Sequence, residues 1–201
     1  MYKNSIFLFL TILFVGSFGL STFAHASSLS QLAGSMQAGT WAELQTNNIQ
    51  VLVDNVLGGQ QHKLPYAEGM KWDSVSRKVY YLGSDDPGDG QFTSYEEATN
   101  TWNAMPAPPF SLSGVSHQYD AATIDIVNRF FFWVRSAGGG PVERFNIDTG
   151  IWTDIPFLGS YSCCEGLVYF PEMQSLFHTR TGTLYRLNDG ATSWTTHRSG
   201  L

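Results

Sequence analysis

Cysteine is almost missing from this chain. Its 201 residues hold two, side by side at Cys163 and Cys164, which excludes the multi-disulfide framework that staples many small exported domains. Charge is scarce too. Asp, Glu, Lys and Arg make up 14% of the residues, against about a quarter in an ordinary globular domain, which argues against an extended, solvated helical surface. Helical periodicity is nearly absent, and the best candidate, 28–37, is short. The net charge is −6, and no basic stripe is present, which speaks against a nucleic-acid partner. No G-x-S-x-G, H-E-x-x-H, phosphate loop or dinucleotide fingerprint occurs. The histidines past the N-terminal segment, His62, His117, His178 and His197, lack metal-ligand spacing. No cofactor is implied.

What the chain does have begins with a targeting signal. Lys3 supplies a positive start, 6–23 is apolar and uncharged, and Ala24-His25-Ala26 fits the small-x-small cleavage rule. The apolar run is as long as a membrane span of about 18 residues, but Gly16, Ser17 and Gly19 before the Ala-x-Ala site favour cleavage. The expectation is a signal peptide over 1–26 and one domain over 27–201. The mature domain would be secreted or periplasmic, with ten Lys and Arg against 17 acids, and would have no membrane attachment.

That domain is rich in aromatics and repeats itself. Tyr95-Glu-Glu-Ala-Thr-Asn-Thr-Trp102 matches Phe145-Asn-Ile-Asp-Thr-Gly-Ile-Trp152, and a looser copy runs from Tyr185 to Trp194. Upstream, Trp72-Asp73-Ser-Val-Ser-Arg77-Lys-Val-Tyr-Tyr81 matches Ile124-Asp125-Ile-Val-Asn-Arg129-Phe-Phe-Phe-Trp133, with a weaker form from Phe170 to Phe177. Short apolar runs between Gly-, Asp- and Asn-rich turns read as antiparallel strands. A repeat of 40 to 50 residues selects a propeller among the β folds.

The pattern of an aromatic, an Asp/Asn-Thr-Gly/Asn turn and a Trp resembles the kelch repeat. That resemblance implies an all-β, kelch-type β-propeller of four-stranded antiparallel blades. Three complete blades are expected, at about 66–109, 117–158 and 163–198, and the tryptophan of each should pack between neighbouring blades. A leading strand is expected at Gly39-Thr-Trp41-Ala-Glu-Leu44. Three blades fall short of the four to eight that close a propeller, which suggests either a fragment of a larger propeller or self-association through open blade edges. The resemblance departs at the double glycine that usually follows the second strand, where this chain has Leu82-Gly83-Ser84, Ser136-Ala137-Gly138 and His178-Thr179-Arg180.

In such a blade the b–c and d–a loops share one face, where binding groups gather on a rigid scaffold. His117, Arg135, Cys163, Cys164 and His178 are expected there. Aligned strand-a openings also put Glu68, Asp120 and Glu165 in register, so three carboxylates should ring one mouth of the channel. Such a ring suits a hard cation, a sugar or a cationic ligand; alternatively each acid accepts backbone N–H bonds from the next blade. The adjacent cysteines form a strained vicinal disulfide, two free thiols or a link between chains, and the ring is preferred in an exported protein. The leading expectation is a non-enzymatic binding module for a glycan or protein. A fragment of a secreted oxidase or carbohydrate-active enzyme, with its catalytic blades elsewhere, is the alternative.

Overall fold

The computed structural model describes residues 26–53, 69–83, 91–109, 120–134, 142–155 and 166–200. The expected signal peptide, Ala26 apart, lies outside the described residues, as do Glu68, His117, Arg135, Cys163, Cys164 and Glu165.

Among the described residues twelve strands form three four-stranded antiparallel sheets, and within each sheet every strand pairs with its neighbours in sequence. Blade 1 holds β1 Lys71–Asp73, β2 Lys78–Gly83, β3 Gln91–Glu96 and β4 Thr101–Ala104. Blade 2 holds β5 Ala122–Asp125, β6 Phe130–Val134, β7 Val142–Asn146 and β8 Ile151–Ile155, and blade 3 holds β9 Leu167–Phe170, β10 Ser175–Arg180, β11 Thr183–Asn188 and β12 Thr195–Ser199. The sheets meet through their first strands. Leu167 N–H donates to the Asp120 carbonyl at 3.0 Å, and Tyr169 N–H donates to the Thr123 hydroxyl at 3.0 Å. β1 also lies against β5. Meander sheets stacked face to face, with their first strands adjacent, make a β-propeller of four-stranded blades.

Burial explains the second strands. In β2 and β6 successive side chains point to opposite faces, yet Tyr80, Tyr81 and Leu82, and Phe131 to Val134, are all buried. Both faces of each blade are covered, so the strand reads as a continuous apolar run rather than an alternating one.

Register corrects the third repeat. Val79 pairs with Tyr95, Phe131 with Phe145, and Leu176 with Leu187. Leu187, not Tyr185, therefore stands at the repeat aromatic, and the seven-residue step to tryptophan is kept at Trp194. The sequence match failed because a leucine fills an aromatic position.

The turns repeat as well. Asn100, Gly150 and Gly190 in the c–d turns have φ of 54°, 72° and 74°, as expected where a tight turn needs left-handed backbone. The a–b turns end the same way on bulkier residues, Arg77, Arg129 and Gln174, at φ of 55°, 64° and 47°. That feature was not expected, since such residues seldom take positive φ.

The leading strand is not formed. Residues 40–46 adopt no strand, and Trp41 is 98% exposed. Instead helix α1 (Ser28–Ser35), the segment after it and the short helix α2 (Gln50–Val53) cover the free face of blade 1. Leu29, Leu44, Ile49 and Val51 pack on Tyr81, Tyr95 and Trp102. Asn47 makes a single parallel bridge: its N–H donates to the Asn100 carbonyl at 2.8 Å, and its carbonyl accepts from Trp102 N–H at 3.0 Å. Residues 39–44 resemble a fourth strand, but their Trp has no blade to pack into.

Candidate functional site

On the loop face the described residues include Asp120, which is exposed at the head of β5 and whose carbonyl carries the bond to β9. His178, expected on the same face, turns inward. It is buried in β10, its Nδ1 lies 3.1 Å from the Gly166 carbonyl oxygen, and its ring meets Trp194 edge-on.

The other end of the blades carries an acid that repeats. Asp73 and Asp125 close β1 and β5 and are buried. Asp73 accepts from the N–H groups of Val75 and Ser76 at 3.1 and 3.2 Å, and Asp125 accepts from those of Val127 and Asn128 at 2.9 and 3.0 Å. Each thus caps its own a–b turn, which leaves one question per seam: what meets the carboxylate from the next blade.

Between blades 1 and 2 the answer is an arginine. The Arg129 guanidinium donates to Asp73 Oδ1 at 2.6 Å and, through Nε, to Asp148 at 3.1 Å. Burial pushes the Asp73 carboxyl up, but Arg129, the Ser76 hydroxyl and the two turn amides outweigh it and hold the group below the ordinary carboxylate range. The hydrogen bonds to Asp73 and Asp148 raise the Arg129 pKa in turn, against the effect of burial. Arg77, in the same turn of blade 1, has no described blade before it and instead reaches Glu97 at 2.6 Å. Glu97 also accepts from the hydroxyls of Ser27 and Ser30. Those contacts, Ser27 first, keep its carboxyl below its usual range despite burial, and they fasten the N-terminal helix to blade 1.

Between blades 2 and 3 the arginine position holds Gln174, and no described cation reaches Asp125. Asn128 takes its place. Its amide donates to Asp125 Oδ2 at 2.7 Å and to Asp189 Oδ2 at 3.0 Å. Tyr169 donates its phenolic hydrogen to the same Asp189 oxygen at 2.8 Å. Burial, with the carboxylates of Asp189 and Asp125, pushes the Tyr169 hydroxyl well above its ordinary pKa, so it remains a donor at neutral pH.

This seam also stays partly open. A cleft of about 330 Å³ lies along it, bounded by Phe132, Arg144, Asp154 and Ile155 of blade 2 and by Leu176, Leu187 and the 188–192 turn of blade 3. A smaller recess of about 190 Å³, lined by Asp125, Asn128, Phe130 and Asp189, shares Phe132, Arg144, Asp189 and Gly190 with it. Arg144 Nε donates to the Thr153 hydroxyl at 3.1 Å, and its guanidinium carbon lies 4.6 Å from the Phe130 ring centre. Its terminal nitrogens meet no described hydrogen-bond acceptor. Sequence reasoning missed this group. A usable signal was present: strand c reads Val142-Glu-Arg-Phe in blade 2 and the uncharged Phe92-Thr-Ser-Tyr in blade 1.

Among the described residues no three His, Cys, Asp or Glu side chains converge to hold a metal, and no helix is long and apolar enough to cross a membrane.

No family model and no curated protein matches the chain. Among solved structures, TolB from Acinetobacter baumannii is similar over 69% of this chain and 33% of its own, at 14% identity and a TM-score of 0.49. An auxiliary nutrient binding protein from Bacteroides ovatus is similar over 63% of this chain and 40% of its own, at 10% identity and a TM-score of 0.35. The chain thus spans well under half the length of either protein, and likeness at this level carries no information about activity.

Proposed function

We propose that this protein is an exported, kelch-like propeller module that binds a glycan or a protein through the face formed by its b–c and d–a loops. The observation that supports the reading is Asp120. It stands exposed at the head of the innermost strand of blade 2, and its own carbonyl bonds the innermost strand of blade 3, so a loop-face carboxylate is carried on rigid main chain. Glu68 and Glu165 occupy the same offset from the ends of β1 and β9 as Asp120 does from the end of β5, which motivates a shared acidic mouth. His117, Arg135 and the Cys163-Cys164 pair complete the proposed surface.

Three measurements test the reading. N-terminal sequencing of the exported protein should begin at Ser27, and retention of residues 1–26 would refute export by cleavage. On a glycan array, wild-type protein should select a defined structure that Asp120→Ala loses at unchanged melting temperature. Binding indifferent to Asp120→Ala and to Glu165→Ala would remove the loop face from consideration. Thiol alkylation of the exported protein without reductant should leave both cysteines unmodified if they form the vicinal ring.

A further inference from the structure

We infer that the cleft between blades 2 and 3 is a second binding site, selective for an acidic sugar residue, with Arg144 as its anion-recognising group. The site is separate from the loop face and stands or falls independently of Asp120.

The argument begins with the guanidinium. Arg144 is fixed by its Nε bond to Thr153 and by stacking on Phe130, so its planar fork is already ordered while its terminal N–H groups have no described acceptor. A preorganised guanidinium with free terminal donors recognises a carboxylate through two parallel hydrogen bonds. The surroundings then limit the rest of the ligand. Asp189 lines both the cleft and its recess, and its Oδ2 already accepts from Tyr169 and Asn128, which leaves Oδ1 as an unused acceptor. Arg144 and Asp189 make no ion pair with each other. A second anionic group on the ligand would be repelled at Asp189, whereas a hydroxyl would be accepted there.

Phe132, Ile155, Leu176 and Leu187 form an apolar stretch of the remaining wall, a surface that suits the C–H face of a pyranose ring, and Asp154, Asn188 and Thr192 beside it offer further partners for sugar hydroxyls. The volume of about 330 Å³ lies at the lower end of the range for small-molecule sites, about 300–1,000 Å³. A single carboxylate, hydroxyl donors a few atoms away and one apolar face together describe a hexuronate. A free amino acid shares the carboxylate and offers an ammonium group to Asp189, but it brings no ring to cover the apolar wall.

The test is titration calorimetry of the full-length chain with methyl β-D-glucuronide, methyl β-D-glucoside and L-alanine. The glucuronide should bind and the neutral glucoside should bind at least 10-fold more weakly. Arg144→Gln should lower glucuronide affinity about 10- to 100-fold, in line with the loss of charge-assisted hydrogen bonds. Arg144→Lys, which keeps the charge but not the fork, should fall between. Asp120→Ala should leave this binding unchanged, so failure here and failure of the loop-face reading are told apart. No glucuronide binding, equal affinity for the glucoside, binding of L-alanine alone, or a glucuronide affinity indifferent to Arg144→Gln would each overturn the assignment.

Discussion

The two seams of this molecule are built on one backbone plan and filled in opposite ways. Between blades 1 and 2, Tyr80, Phe92, Phe131, Phe145 and Trp152 interlock, with Phe92 5.2 Å from Phe131, 4.9 Å from Phe145 and 5.1 Å from Trp152 between ring centres. Trp152, itself partly buried, also donates its indole N–H to the Pro106 carbonyl. Arg129 crosses this seam to Asp73. Between blades 2 and 3 the register puts Val142 where Phe92 stands, Arg144 where Ser94 stands, and Gln174 where Arg129 stands. The exchange of an aromatic for a valine coincides with a cleft, and the crossing arginine gives way to an Asn–Asp–Tyr network. Identical scaffold positions can therefore serve as cement in one seam and as a recess in the next.

The largest effects should come from breaking the first seam. Phe92→Ala should cost about 3–5 kcal/mol by urea denaturation, as a large truncation in a close-packed core. Val142→Ala, its counterpart in the second seam, should cost about 2 kcal/mol, for two buried methyl groups plus a small void. Equal losses would break the contrast between the seams.

Arg129→Met should cost about 3 kcal/mol, because it strands the buried Asp73 carboxylate. Adding Asp73→Asn should recover part of that loss. If the single and double variants are equally stable, the crossing ion pair does not hold the seam.

The same pair sets a dependence on acid. Asp73 and Glu97 both titrate below their ordinary ranges when folded, so the unfolded chain takes up protons at these sites first. Their stabilisation is complete above the unfolded carboxylate pKa values of about 4 and is lost as pH falls through the lower folded values. Melting temperature should therefore drop below about pH 4, and the drop should be shallower in Asp73→Asn. An acid limb unchanged in that variant would place the titration elsewhere.

The smallest effect tests whether the second seam merely lacks its arginine. Gln174→Arg puts a guanidinium at the equivalent of Arg129, on a position already in the left-handed region, with Asp125 standing where Asp73 stands in the first seam. It should stabilise the protein by about 1 kcal/mol, the scale of a hydrogen bond to a charged group, read as a rise in urea midpoint. No gain would mean that Asn128 already satisfies Asp125.

Much of the blade was legible from residues because a propeller repeats its local chemistry. The c–d turns were visible because Asn100, Gly150 and Gly190 are residue types that tolerate positive φ, and Trp102 and Trp152 marked strand d through size. The third aromatic position was misread because Leu187 satisfies burial without being aromatic. Trp41 misled for the opposite reason: a tryptophan after a Gly-Thr pair looks like strand d, but a strand needs a partner. The a–b turns were missed, since an arginine at positive φ leaves no sign in composition.

Sequence alone thus determined the kind of unit and its number, because short apolar runs, turn residues and the seven-residue step from core residue to tryptophan are all properties of neighbouring positions. Tertiary structure decided what each unit meets. Whether an arginine reaches an aspartate 56 residues away, whether helix α1 and the segment after it stand in for a preceding blade, and whether a seam is filled or left open depend on faces brought together by stacking. No local pattern encodes the volume that remains between two of them.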